Sequence, residues 1–481
     1  MAASSVRFFE TRKREVRDNK GGKGFNFNNY RYLSVINQLT QIKLLRRVEK
    51  GEQGPYLILD QFSNACLIHE LNTNLHERQA AFQNALELIR GQVPRILYPQ
   101  PDDAWPRIVK ILPHFMSLLE IVGYAEPRIK ANLEFAEMLV DIGGSTLLAH
   151  GRTSEAKLVC ERAEELLQDD GDCPNATTQA DILTMLGLST DMCGLSERNK
   201  GKLMREKCFQ IRQVQWDALP EHDRTIEDEK LMWNANIDKA CSFRQLDRVK
   251  EVEAICKKSI KDCQRWGSEE EHPNEFARYY SLNAYVHLHK GETNKAYDDI
   301  NHAYGLISRG SPDSLAASRY KSNLANIMFL QGDREQAIRE HGKMLDFRIR
   351  ECGEDSVLVL QSRLNIGVMH YLMLEFSKAR QHFLAILHSA THAYWFLEYY
   401  TKAEYYLAQT LKAEKKDPME VDDFEVRAKA TADEALRREH SNISKEYRGY
   451  KDYAFLCDYL VPWECRLESL FKAIKIEDPK G

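Results

Sequence analysis

Six segments of this 481-residue chain share one phrase, and that phrase limits the folds open to it. An amphipathic helix leads into a short turn, and a small residue follows five positions after the turn residue. The segments read HGRTSEAK (Gly151, Ala156), CGLSERNK (Gly194, Asn199), FRQLDRVK (Arg244, Val249), KGETNKAY (Gly291, Ala296), QGDREQAI (Gly332, Ala337) and MLEFSKAR (Leu374, Ala379). Their second anchors are 43, 50, 47, 41 and 42 residues apart. Glycine allows the left-handed backbone that ends the first helix. A small residue one turn into the second helix lets two helix axes approach closely. One such pair cannot bury its apolar face alone, but stacked pairs can, so the phrase predicts a solenoid.

Apolar residues recur at helical spacing, as in Leu324, Ile327, Met328 and Leu330. Strand signals are almost absent across 130–440. The prolines there, Pro174, Pro220, Pro273, Pro312 and Pro418, sit where connectors between repeats are expected. At 43% hydrophobic and 29% charged, the chain can bury a large core, which excludes a mostly disordered or collagen-like protein. The stretches VLVLQSRLNIGVMHYLMLEFSKARQHFLA (358–386) and SRYKSNLANIMFLQGDREQAIREHGKMLDFRIRECGEDS (318–356) resemble tetratricopeptide repeats of the kinesin-light-chain type. The usual W-x-x-L-G-x-x-Y opening is mostly missing, and the second and third units lack the Gly or the Ala. The resemblance implies an all-α, right-handed tetratricopeptide-like α-solenoid.

The flanks differ in kind. LSVINQLTQIKLLRRV reads as a helix, GEQGPYLILD as a turn and short strand, and QFSNACLIHEL as a further helix, together a small winged-helix-like segment. Helices with a Pro-rich turn at Trp105 and an LPH phrase at His114 follow. This order, and the closing YKDYAFLCDYLVPWECR at 450–466, resembles the C-terminal half of fungal STAND/NB-ARC receptor proteins. No G-x-x-x-x-G-K-[ST] phosphate loop occurs; GGKG at 21–24 lacks its spacing and hydroxyl residue, and Asp60 stands where that family's strand phrase has His. The ATP-driven switching of those receptors is therefore not implied. The expected organisation is a basic tail (1–28), a vestigial winged-helix-like segment (29–75), linking helices (76–130), the repeats (131–440) and a C-terminal aromatic cap (441–481).

Residues 1–50 carry 12 Lys/Arg against 4 Asp/Glu within a chain of net charge −5. A solvated tail is expected rather than a nucleic-acid or membrane anchor, and no apolar run reaches the length of a bilayer span. The eleven cysteines are scattered without a CxxC pair, so zinc ribbons and redox motifs are not expected. Buried thiols in a reducing, cytoplasmic setting are.

Helix A of each repeat is expected to line the groove. Counting back from the turn residue gives Asn323 and Asn365 at nine residues, and Asn283 and Asn236 at eight, with Tyr279, Arg319 and Asn326 one turn away. A carboxamide both donates and accepts, so such a ladder can clamp a peptide backbone. His388 and His392 share a helix face, but the intervening residues supply no metalloprotease Glu. His370 and His382 show no evident convergence in sequence. The pairs Asp169–Asp170, Asp298–Asp299 and Asp422–Asp423 lack the further partners that magnesium-diphosphate chemistry needs. Two aromatic runs, Tyr394 to Tyr406 and Tyr447 to Trp463, are expected to cap the last repeat; the sharper alternative is an apolar pocket for a small molecule.

The sequence therefore reads as a non-enzymatic scaffold that holds a peptide segment or partner protein in its groove, with no cofactor or metal. The alternative is an enzyme of small-molecule metabolism acting on a hydrophobic substrate in the groove. A third reading is a decoy that pairs with a full-length receptor. An enclosed cavity with convergent polar groups favours the enzyme, and an open continuous groove favours the scaffold.

Overall fold

The computed structural model describes residues 45–48, 56–59, 75–91, 105–124, 129, 133–169, 175–193, 195–310, 312–389, 396–438 and 453–467. The basic tail, most of the winged-helix-like segment, His392 and the aromatic residues 394, 395, 447 and 450 lie outside them. The chain divides into two units, Met1–Ile96 with Ala104–Phe135, and Leu97–Asp103 with Ala136–Gly481.

The first unit holds an antiparallel hairpin, β1 (Leu45–Val48) and β2 (Tyr56–Leu59), with Leu45 opposite Leu59 and Val48 opposite Tyr56. The sequence pattern carries the preceding helix through Val48. Pairing with β2 makes these last four residues a strand instead, because a sheet partner outweighs a weak helical pattern. Helices α1 (Leu75–Arg90) and α2 (Trp105–Tyr124) follow. Phe82 and Phe115 meet the ring of Phe135 at 5.3 and 5.6 Å.

The second unit is an all-α solenoid of tetratricopeptide-like helix pairs. After α3 (Leu133–Met138), which spans the boundary of the two units, the first pair joins a π-helical turn and α4 (Ser145–Ala149) to α5 (Thr153–Asp169). Then come α6 (Ala176–Cys193) with α7 (Leu195–Ala218), α8 (Ile226–Gln245) with α9 (Val249–Trp266), and α10 (Pro273–His289) with α11 (Thr293–Ser308). Next are α12 (Leu315–Gln331) with α13 (Arg334–Cys352), α14 (Val357–Leu372) with α15 (Phe376–His388), and α16 (Leu397–Ala413) with α17 (Pro418–Arg438). A short α18 (Tyr453–Leu460) and a 3-10 turn (Trp463–Cys465) close the described chain.

Local chemistry sets these boundaries. Thr225 and Asp228 form a reciprocal capping box at the start of α8. Ser314 and Ser356 cap α12 and α14 by accepting main-chain N–H bonds at 3.1 and 3.2 Å. Pro273 and Pro418 open their helices, where a missing N–H costs nothing.

Within the pairs, the turn residue is left-handed at Gly151, Asp247, Gly291, Gly332, Leu374 and Lys415. From Asp247 onward these are spaced 44, 41, 42 and 41 residues apart, a steadier period than the sequence phrase suggests. The third turn is Asp247, not Arg244, and the residue buried behind it is Val252, not Val249. A seventh pair exists, α16 with α17, whose turn is Lys415. It shows no small residue five positions on, so the phrase does not reveal it. Pro418 lies inside this pair rather than between repeats. Ala156, Ala296, Ala337 and Ala379 are all buried as the phrase requires.

Leu374 is 73% exposed at φ +63°, so its side chain gains little while its backbone is strained. A left-handed non-glycine residue costs roughly 1–2 kcal/mol, part of which glycine returns as unfolded-state entropy. Leu374→Gly is expected to stabilise the chain by up to about 1 kcal/mol, read as a higher urea midpoint at unchanged slope.

The array also closes on itself. The Arg319 guanidinium on α12 donates to the Leu148 carbonyl at 3.1 Å, and the Ser356 hydroxyl donates to the His150 carbonyl at 2.8 Å. The Val357 N–H reaches the Gly151 carbonyl at 3.2 Å. A Cβ at Gly151 would sit 2.4 Å from Ser356 Oγ, so glycine permits this approach as well as the left-handed turn. The second pair likewise meets the seventh through α7 and α17.

Candidate functional site

The A helices α8, α10, α12, α14 and α16 all present polar or aromatic side chains to one object, the chain's own residues 456–467. The segment is deeply buried: Leu460, Val461 and Cys465 have no exposure and Trp463 has 6%. Trp463 belongs to the core of the third to fifth pairs, and Val461, Cys465 and Leu467 to that of the fifth to seventh. Leu456, Tyr459 and Leu460 pack against Ala432, Ala435 and Leu436 of α17, so the segment covers the last pair and also joins the two larger cores.

Its main chain is held by side chains. Asn326 and Asn365 both donate Nδ2–H to the Glu464 carbonyl, at 3.0 and 3.1 Å. Lys402 donates to the Cys465 carbonyl at 2.6 Å and pairs with Asp458, both ions having no solvent exposure. Arg198 on α7 donates to the Tyr459 carbonyl at 3.1 Å and also to that of Leu460. The Trp463 N–H donates to Gln245 Oε1 at 2.8 Å.

Its side chains are met in kind. Glu464 pairs with Arg244 at 2.7 Å and accepts from Gln245 Nε2 at 3.1 Å. Burial pushes the Glu464 carboxyl up, yet Arg244 and its other partners bring it below the usual range. Arg466 pairs with Asp247 at 2.5 Å, and the Trp463 ring lies between Arg244 (5.1 Å) and Tyr285 (5.4 Å, edge-on).

One carboxamide is oriented from behind. A carbonyl can only accept, so Asn326 turns Nδ2 to Glu464 and Oδ1 to His341 Nε2, 2.8 Å away. That nitrogen carries the proton, and Nδ1 stays bare. Complete burial, then the charge of Arg348, pushes the His341 imidazole down to about 3, so the ring stays neutral.

The other sequence-selected residues lie elsewhere. Asn283 donates to Asp299 at 2.7 Å within its own pair and contacts His287. Tyr279 stacks edge-on against Tyr280. Arg319 closes the array at Leu148, as above. Asn323 is buried on α12. Asn236 is half-buried on α8, between Asn234 and Asp238, which both accept from Arg278. With the turn at Asp247, the position eight residues before it is Lys239.

Arg198, Arg244, Gln245, Tyr285 and Lys402 were not selected from sequence. The contacts stand three residues before the turn at Arg244, six at Tyr285 and Asn326, nine at Asn365 and thirteen at Lys402. The segment therefore crosses the A helices obliquely, by about one helical turn every one or two helices. A ladder counted at one fixed offset cannot follow it.

The remaining candidates resolve simply. The rings of His370 and His382 do converge, stacked at 5.8 Å, with His370 Nδ1 on Glu375. Among the described residues no group of His, Cys, Asp and Glu side chains could hold a metal ion. No described helix is long and apolar enough to cross a membrane. An open cleft of about 820 Å³ lies between α16, α17 and α18, lined by Tyr405, Gln409, Asp422, Glu425, Lys429 and Tyr453 among others.

No family model matches the sequence, and no curated protein matches it. Solved structures do show a likeness. One is BtubC (BKLC) from P. vanneervenii, 19% identical, covering 53% of this chain and 94% of that one at a TM-score of 0.37. Another is the human IFIT1 dimer with m7Gppp-AAAA, 12% identical over 82% of this chain and 93% of that one, TM-score 0.38. A third is yeast Tom70, 11% identical over 87% and 97%, TM-score 0.29. Likeness this low says nothing about what this chain binds.

Proposed function

We propose that the chain is a cytoplasmic, non-catalytic scaffold whose A-helix groove holds a polypeptide segment of a partner protein. One observation carries this reading: Asn326 and Asn365, on successive A helices, converge on a single main-chain carbonyl. Amide donors aimed at a carbonyl recognise polypeptide whatever its side chains, while Arg244, Lys402 and Tyr285 add selection. Groups gathered for catalysis would converge on a space for a reacting atom. Here they converge on backbone.

Capture of unstructured peptides by the intact chain tests the reading, with an Asn326→Ala/Asn365→Ala variant in parallel. Peptide retention is expected, reduced at least ten-fold in the variant, because each lost donor leaves a buried carbonyl short of about 1–3 kcal/mol of compensation. Retention of a hydrophobic small molecule and no peptide would instead favour an enzyme working at the open cleft beside Tyr405 and Tyr453.

A further inference from the structure

We infer that residues 453–467 are a tethered internal ligand, and that the partner that replaces them is an acidic segment with an apolar centre; this rests on the proposed polypeptide-binding role of the groove. Two observations point the same way. The first is charge. The charged groups around the segment are the cations Arg198, Arg244 and Lys402, with Arg348 near Cys465, against the anions Asp247 and Glu398. The segment answers with Asp458 and Glu464, six residues apart, and one base, Arg466. Between the acids lies the apolar stretch Tyr459–Trp463.

The second is imperfect pairing. Asn365 Oδ1, Arg198 Nε, Arg244 Nε, His341 Nδ1 and Trp463 Nε1 are buried at this site without a hydrogen-bond partner among the described residues. A segment evolved as a fixed core would be expected to satisfy such atoms. A tethered ligand need not, because its effective concentration, on the order of millimolar, compensates for modest affinity. A free segment that keeps the two carboxylates and also pairs the groove's own Asn365 Oδ1, Arg198 Nε and Arg244 Nε competes with it. Exchange makes the groove available only when such a partner is present.

The test uses the full chain and a fluorescent synthetic peptide of residues 453–467. Glu464→Lys sets a cation against Arg244 and loosens the internal segment while leaving every A-helix residue intact. It is expected to bind the peptide at least ten-fold more tightly than the unaltered chain, and a peptide carrying D458N and E464Q should bind at least ten-fold more weakly to it. Equal peptide binding by both chains, or none by a folded Glu464→Lys chain, overturns the inference. Native-state hydrogen exchange on the unaltered chain decides the case if that variant does not fold. Amides of 453–467 opening more readily than those of α12 and α14 support exchange. Opening only together with them marks the segment as fixed core and overturns it. Peptide capture that leaves 453–467 protected would defeat this inference alone, whereas absence of any peptide capture by a chain with a loosened segment would defeat the scaffold reading.

Discussion

Replacing Lys402 by alanine is expected to cost about 3–5 kcal/mol of stability, the usual result of stranding one charge of a fully buried pair. Lys402 and Asp458 have no solvent exposure, and the ammonium also satisfies the Cys465 carbonyl. The substitution leaves an uncompensated carboxylate and an underbonded carbonyl where the segment meets α16. A Lys402→Met/Asp458→Leu double variant removes both charges and is expected to recover most of the loss. Urea unfolding followed by far-ultraviolet circular dichroism measures both. Equal destabilisation by the single and double variants would show that the pair contributes packing rather than charge compensation.

The second large effect is on pH. His341 is held neutral in the fold, with its pKa pushed down to about 3, whereas an unfolded imidazole titrates near 6.5. As pH falls below 6.5 the unfolded chain takes up a proton that the folded chain refuses. Stability is therefore complete above pH 6.5 and is lost on acidification toward the folded value. One such group contributes a slope of up to about 1.4 kcal/mol per pH unit. His382, pushed down to about 4 by burial and then by the neighbouring His370, acts in the same direction. Glu464, lowered in the fold, adds stability above about pH 4.5 that fades below it. Asp191, raised chiefly by burial, acts in the opposite direction from its unfolded value upward, in the native chain and in the His341 variant alike. Urea midpoints between pH 7 and 5 should fall steeply for the native chain and by about one proton less for His341→Gln. Parallel curves would exclude His341 as the source.

Much of the fold was legible because helix pairing leaves a local mark. Gly291 with Ala296 and Gly332 with Ala337 announce a turn and a close helix approach within six residues. Where another residue takes the left-handed position and no small residue follows five positions on, the mark is lost. Asp247 and Lys415 do so, which displaced the third turn by three residues and hid the seventh pair. The site was less legible for a different reason. Asn326 and Asn365 stand out because a carboxamide on a groove face asks for a partner. Arg198, Arg244 and Lys402 read as ordinary charges on amphipathic helices, where solvent is the usual destination. Their burial depends on a segment that follows α17 and lies over 260 residues from Arg198 in the case of Leu460. The aromatic closing phrase was visible, but its docking draws on side chains from the second to the seventh pair, which no single repeat encodes.

Photocrosslinking from position 463 tests the central claim most directly. With p-benzoylphenylalanine in place of Trp463, irradiation of the intact chain should give a monomer-sized product crosslinked to α8 and α10, near Arg244 and Tyr285. Crosslinks confined to α16 and α17, or none within the chain, would contradict a groove occupied by its own C-terminal segment.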